Sequence, residues 1–311
     1  MLFVQIASYR DPELIPTVLD LVEKASNPKQ LRIVVAWQHD DLESIDPIKH
    51  LIEYIDIPYI DSKGVCWARN LIQQKYKNEE YTLHLDSHHR FVNGWDDLLL
   101  EMHQQCKDMG SERPLLTTYL PNYDALKEEF LHEVWQMKVE KFMDDGPLFF
   151  VPEPVLNLND LKAPIPARFY SAHFAFTDGE FCKLVPHDPD YYFYGEETNI
   201  AVRAFTHGYD LYHPHKLIGW HQYKRSYRPT HWDDNIKCNN TQNSWTEYDA
   251  ISTKKHRVLF KMEESNENFP DIFGSVRSLS DYENYAGIKF SEKYISEYTL
   301  DNNLPPNSIF C

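Results

Sequence analysis

The chain has 311 residues, of which 42% are hydrophobic and 14% aromatic; this is enough to bury a sizeable core and excludes a disordered chain. Its net charge of -17 argues against a nucleic-acid-binding face, since phosphate contacts need clustered Lys and Arg, and any site for an anionic diphosphate needs a metal or locally placed cations. No apolar run approaches the ~20 residues of a membrane span, the start carries no signal-peptide pattern, and five scattered cysteines (66, 106, 182, 238, 311) read as reduced thiols, so a cytoplasmic protein is expected.

Leu2 to Ala7 is a β-rich apolar run, followed by the polar stretch Ser8-Tyr9-Arg10-Asp11-Pro12. Pro12 and Pro16 bracket a helix start, and Leu14, Val18, Leu19 and Val22 recur at helical spacing. Leu31–Trp37 predicts a second strand, Ile48–Ile55 a helix, Ile57–Ile60 a short third strand, Val65–Gln74 a helix, and Tyr81–Leu85 a fourth strand ending at Asp86. Alternation of strands and helices predicts an α/β domain with a parallel sheet, and such sheets bind ligands beyond the carboxyl ends of their strands. Both Ser8–Asp11 and Asp86–His89 fall at such ends. A helix is expected near Tyr123–Phe142, and two helices beyond residue 230 in an Asn-rich region that includes a glycosylation sequon at Asn239-Asn240-Thr241. The expected division is a catalytic domain over 1–230 and an extension over 231–311 packed upon it.

Asp86 and His88, at i and i+2 of an extended segment, point to one side and can grip one cation; a carboxylate with an imidazole suits Mn2+ or another divalent metal. The spacing alone is also met by a turn in which Asp86 caps the next helix and His88 is exposed. Strand alternation aims His84 away from the loop and into the core. The chain has 15 histidines, but no HExxH pairing that would mark a metal hydrolase.

Leu85-Asp86-Ser87-His88 with Gly94-Trp95 and Leu98-Leu99 resembles the Asp-x-His segment of polypeptide GalNAc-transferases. Gly64-Val65-Cys66-Trp67-Ala68-Arg69 resembles their Gly-Leu-x-x-Ala-Arg helix start. Tyr194-Gly195-Glu196-Glu197 and Ile218-Gly219-Trp220-His221 are similar to their Gly-Glu-Asn block and late histidine. The closer resemblance is to the GlcNAc-transferase family typified by the cytoplasmic Skp1-hydroxyproline enzyme, through Arg277–Glu283 and Tyr285-Ala286-Gly287-Ile288 as well.

The resemblance implies a GT-A fold with a Rossmann-like nucleotide-binding sheet, and a retaining transfer from a UDP-sugar, GlcNAc above all, to a hydroxyl acceptor on a protein or glycan. It implies Asp86, His88 and His221 as ligands of Mn2+, with His221 alternatively a core histidine. Ser8, Tyr9 and Arg10 would contact the nucleoside; Arg69 would sit near the metal carboxylate or the diphosphate, or be a surface helix arginine. Lys224 or Arg225 would clamp the diphosphate, and His173 would face the sugar. Glu196 would meet sugar or acceptor hydroxyls, while Glu197 stands where the block has Asn, and of two adjacent carboxylates one can carry a raised pKa. No nucleophile is evident for a double displacement, so a same-face mechanism is expected. A non-catalytic UDP-sugar-binding module and a transferase acting on small acceptors are the competing expectations.

Overall fold

The computed structural model describes residues 1–237, 244–267, 269 and 272–305; the sequon at 239–241, Cys238 and Cys311 lie outside the described residues. The strands that position the site are β1 (Leu2–Tyr9), β2 (Leu31–His39), β3 (Ile52–Pro58), β4 (Tyr81–Asp86), β5 (His89–Phe91), β6 (Pro114–Thr117), β7 (Tyr123–Asp124), β8 (Glu129–Phe130), β9 (Trp135–Phe142), β10 (Leu148–Pro154), β11 (Ile165–Pro166), β12 (Phe174–Asp178), β13 (Asp210–His213) and β14 (Gly219–His221). Helices α1 (Leu14–Lys24), α2 (Val65–Gln73), α3 (Trp95–Asp108), α4 (Phe181–Leu184), α5 (Glu196–Thr206), α6 (His231–Lys237), α7 (Trp245–Leu259) and α8 (Leu279–Ala286) pack around them.

Among the described residues the main sheet runs β11-β13-β6-β12-β4-β1-β2-β3. β4, β1, β2 and β3 are parallel neighbours, whereas β12 lies antiparallel between β4 and β6. The parallel half follows from composition: seven of the eight residues of β1 are buried, as expected for an inner strand covered on both faces. Leu14, Val18 and Leu21 of α1 close one face, each contributing about 1.5–3 kcal/mol by burial. Ala68 and Ile72 of α2 pack on the other, against Phe3, Val34 and Ala36.

Three sequence expectations need correction. The helix expected over Tyr123–Phe142 is instead β7, β8 and β9: in Trp135–Phe142 Met137 and Val139 point inward while Gln136 and Lys138 do not, a period-two pattern, and β9 pairs with β10. The helix expected over Ile48–Ile55 is a turn followed by the edge strand β3, held by pairing with β2. The strand expected at Ile57–Ile60 ends at Pro58 in a 3-10 turn over Tyr59–Asp61. Within α1, Leu19 faces outward, and Leu21 occupies the core instead.

Beyond residue 230, α7 and α8 begin with reciprocal capping boxes, Ser244 with Glu247 and Ser278 with Asp281. Phe260, Tyr282, Ala286 and Phe290 share one buried cluster with Met137, Val139, Phe150 and Phe205. No helix among the described residues is long and apolar enough to cross a membrane.

Candidate active site

Asp86 ends β4, so the chain leaves the sheet there and Ser87 and His88 stand in the crevice beyond the parallel strands. β5 then turns back and pairs antiparallel with β14, placing His89 opposite His221 and Phe91 opposite Gly219. The His221 amide donates to the Pro121 carbonyl (3.0 Å) and the Gln222 amide to that of His88 (3.0 Å). This small sheet carries His221 to a segment 135 residues earlier in the chain. His221 Nε2 lies 3.4 Å, and His88 Nε2 3.7 Å, from Asp86 Oδ2. One ligand atom from each of the three lies within 4.8 Å of the others, so Asp86, His88 and His221 could hold one divalent ion.

The pairing leaves no room for a side chain at Gly219, where a Cβ would stand 2.3 Å from the Arg90 carbonyl oxygen. Gly219→Ala must part β5 from β14 and displace His221 without touching a ligand. Mn2+ affinity, followed by titration of the purified protein, is expected to fall about tenfold or more.

Electrostatics suit such a role. Burial would raise the Asp86 carboxyl, but Arg69 first, then His221 and His88, outweigh it and hold Asp86 well below the ordinary carboxylate range. Burial keeps His221 neutral, its pKa well below the usual imidazole value, leaving a lone pair for a metal. Arg69, on the inner face of α2 and 3% exposed, is no surface arginine. Its Nη2 donates to Asp86 Oδ1 (2.6 Å) and its Nη1 to both oxygens of Glu196 (2.5 and 2.7 Å), while His187 Nε2 lies 2.8 Å behind, at Glu196 Oε1. Asp86 therefore spends Oδ1 on Arg69 and turns Oδ2 to the histidines.

The adjacent carboxylates divide. Burial would raise Glu196, but Arg69 and His187 bring it down to about 2. Glu197, which accepts from the Tyr119 hydroxyl (2.9 Å) and the Ala172 amide (2.9 Å), is not ion-paired among the described residues, and burial pushes it up to about 7. A carboxyl whose pKa rises on folding holds its proton more tightly when folded, so it opposes folding as pH climbs from about 4.5 through about 7. Glu197→Gln is expected to raise the thermal midpoint at pH 8 relative to wild type and to lose that advantage at pH 5. The difference amounts to at most about 3 kcal/mol.

A cavity of about 470 Å³ opens over these groups, a size that suits a small ligand. One wall is the end of the parallel sheet, with Tyr9, Gln38 and Val65; the other carries Phe149–Pro152 of β10 together with Tyr119, Glu196 and Glu197. Tyr223, Arg225, Arg228 and Trp232 line it from the segment following His221.

Several expected residues sit differently from their sequence reading. Of the first-strand loop only Tyr9 reaches the cavity wall, with its hydroxyl on Asp234 (3.1 Å) and its ring edge-on to His231. Ser8 is buried behind it, and Arg10 is tied to Asp40 (2.5 Å) and Asp234 (2.7 Å). Lys224 turns away to Asp124 (2.5 Å), whereas Arg225 faces the cavity and lies over the rings of Phe193 and Trp232. His173 lines the cavity, but Nε2 accepts from the Leu120 amide (3.0 Å), Nδ1 is 3.3 Å from Ser171 Oγ, and the ring stacks on His221 at 4.1 Å. His84, by contrast, is buried as strand alternation predicts, with Nε2 on the Ala172 carbonyl (2.8 Å). Asp11, His187, Tyr119 and Arg228 were not singled out by sequence; only Asp11 had a signal, as the last residue of the polar Ser8–Asp11 loop at a strand end.

A parallel half-sheet that opens onto an Asp-x-His turn, joined to a mixed half and met by a distant histidine on the separate β5–β14 ribbon, is the GT-A fold of glycosyltransferases. The chain belongs to the Glycosyltransferase (GlcNAc) family, whose sequence model matches residues 1–49 and 47–292. No curated protein sequence gives a significant match. Among solved structures, GalNAc-T7 with UDP, GalNAc and Mn2+ superposes over 98% of this chain and 59% of its own, with a TM-score of 0.61 at 13% identity; the chain thus spans less than two thirds of that relative's length. Residues 1–349 of S. aureus TarS with UDP-GlcNAc match 83% of this chain and 73% of their own, with a TM-score of 0.44 at 12% identity. The mannosyltransferase PcManGT from Pyrobaculum calidifontis, with GDP-Man and Mn2+, matches 83% and 69%, with a TM-score of 0.44 at 11% identity.

Proposed function

We propose that this glycosyltransferase moves GlcNAc from UDP-GlcNAc to a hydroxyl of a protein or glycan acceptor, with retention and with Mn2+ as cofactor. The observation that carries the reading is the convergence of Asp86 Oδ2, His88 Nε2 and His221 Nε2 at a strand end over the cavity. Held there, a divalent cation would offset charge on the leaving diphosphate. Arg225 and Arg228 add cationic groups on the same side of the cavity, which an acidic chain needs where a diphosphate binds. In this reading Tyr9 and Gln38, which line the cavity at the ends of β1 and β2, meet the nucleoside.

On the far wall Glu196, clamped through both oxygens, keeps Arg69 in place, and His173 backs His221. Glu197 offers a carboxyl that is half protonated near neutral pH and can hydrogen-bond a sugar or acceptor hydroxyl. With Glu196 engaged by Arg69, the reading keeps a same-face route: the acceptor oxygen bonds to the anomeric carbon as the bond to the leaving phosphate breaks, and the acceptor proton passes to that phosphate oxygen. Residues 1–230 act as the catalytic region and 231–311 as an extension packed on it, supported by the shared cluster and by Trp232 at the cavity. The free, buried Cys66, Cys106 and Cys182 support a reducing, cytoplasm-like setting.

The test is turnover of a panel of UDP-sugars with Mn2+ present and removed by chelator. Metal-dependent hydrolysis or transfer with UDP-GlcNAc preferred is expected; turnover unaffected by the chelator removes the metal assignment, and preference for another sugar removes the GlcNAc assignment.

A further inference from the structure

Asp11 lies outside the ligand set, yet both oxygens of its buried carboxylate are engaged beside it. Arg10 adopts a left-handed conformation (φ 43°), sparsely populated for a residue with a side chain, while its amide donates to the Gln38 carbonyl (2.8 Å). This reversal at the end of β1 swings Asp11 back beneath the Asp86–His88 turn. Asp11 Oδ1 accepts from the Glu13 amide (3.0 Å), opening α1 and holding the carboxylate plane. Oδ2 then takes the Ser87 hydroxyl (2.7 Å) and His88 Nδ1 (2.7 Å), with Arg228 Nε at 3.4 Å. The Asp11 side chain is fully buried, so these donors and not water satisfy it.

A carboxylate can only accept from a ring nitrogen, so Nδ1 of His88 bears a proton, and Nε2 is the nitrogen the ring can offer to a metal. Nε2 is the atom that faces Asp86 Oδ2. Arg228, which lines the cavity, attaches the segment after His221 to the same oxygen. His221 has no equivalent support: its Nδ1 is buried without a hydrogen-bond partner among the described residues. The two imidazoles are therefore unequally restrained, and the restraint on His88 comes from the first strand of the fold.

We propose that Asp11 is a positioning residue for the metal site, setting the tautomer and ring orientation of His88 and thereby its capacity to bind Mn2+. The proposal rests on the metal reading above, and the experiment separates the two. Mn2+ binding to the full chain, without donor or acceptor, is measured by titration calorimetry for wild type, Asp11→Asn, His88→Ala and the double variant. Asp11→Asn keeps the size of the side chain, and thermal melts of the metal-free proteins report folding. A carboxylate behind a ligating histidine typically contributes 10- to 100-fold in affinity, so a loss of that size is expected. In the His88→Ala background the same substitution is expected to change affinity by less than about twofold, because its target is gone. A loss under fivefold in Asp11→Asn, or an undiminished loss in the His88→Ala background, overturns the proposal. Wild type that binds no Mn2+ overturns the metal reading instead. Ser87→Ala, which removes another donor to Asp11, and with it a 3.4 Å approach of the hydroxyl to His88 Nδ1, but leaves the Asp11–His88 hydrogen bond, is expected to bind within about threefold of wild type; a loss as large as that of Asp11→Asn would place the effect in the turn and overturn the assignment to the Asp11 carboxylate.

Discussion

Asp86→Ala is expected to lower turnover about 10³-fold or more and to abolish Mn2+ binding detectable by titration, since several kcal/mol of charge stabilisation at the leaving group depend on the held cation. Asp86 supplies the carboxylate of the triad, and both imidazoles turn their Nε2 toward its Oδ2. Without it the site keeps two imidazoles and no carboxylate ligand to counter a dication. Asp86→Asn keeps the shape and an oxygen but loses the charge, and is expected to fall between alanine and wild type in affinity. Turnover is best read with the donor alone as well as with acceptor, so that loss of acceptor binding is not mistaken for loss of chemistry. Both variants free Arg69 Nη2, so thermal melts belong beside the kinetics. Near-wild-type hydrolysis by a folded Asp86→Ala protein would rule out the triad.

Arg69→Met is expected to carry the largest stability loss, about 3–5 kcal/mol, because it strands Glu196 in the interior and frees Asp86 from the arginine that hydrogen-bonds it. For a chain of this size that corresponds to a fall in thermal midpoint of roughly 5–15 °C. The pH dependence has a definite sign. Glu196 in wild type is held down near 2, so its contribution is present above about 4.5 and is lost only as pH falls toward 2. In the variant the same carboxyl, buried without a cation, takes up a proton more readily, which relieves the penalty in acid. The gap between wild type and variant therefore widens from pH 5 to pH 8. Adding Glu196→Gln to Arg69→Met is expected to recover part of the loss at pH 8; no recovery would mean that Arg69 acts through packing and not charge.

The parallel half of the sheet was legible because its strands are continuous apolar runs and its helices keep a 3.6 period, and the Asp86–His88 turn followed from where β4 had to end. The β9–β10 hairpin was missed, although Trp-Gln-Met-Lys-Val alternates, because a run between Pro-rich loops and the Ala-Leu-Lys-Glu-Glu stretch favours helix on propensity. His221 could be reached only through resemblance: nothing local to Gly219-Trp220-His221 shows that it pairs with His89-Arg90-Phe91. Lys224 and Arg225 are chemically interchangeable in sequence, and only the orientation of the segment separates a solvent-facing partner of Asp124 from a cavity-lining cation. The division of Glu196 from Glu197 depends on Arg69 and His187 reaching one and not the other, which is purely a matter of packing.

The antiparallel pairing of β5 with β14 has a consequence for how the protein acquires its site. His88 and His221 meet only after a loop of more than a hundred residues has closed, and contacts of such long range form late because their entropic cost precedes their reward. An unfolded or half-folded chain has no cluster to offer, so a metal that binds the finished triad draws the population toward the fully assembled state in proportion to its concentration over its dissociation constant. On the proposed metal reading, uptake would act as a late checkpoint on assembly, and protein refolded with the ion is expected to populate the assembled state more fully than protein refolded without it.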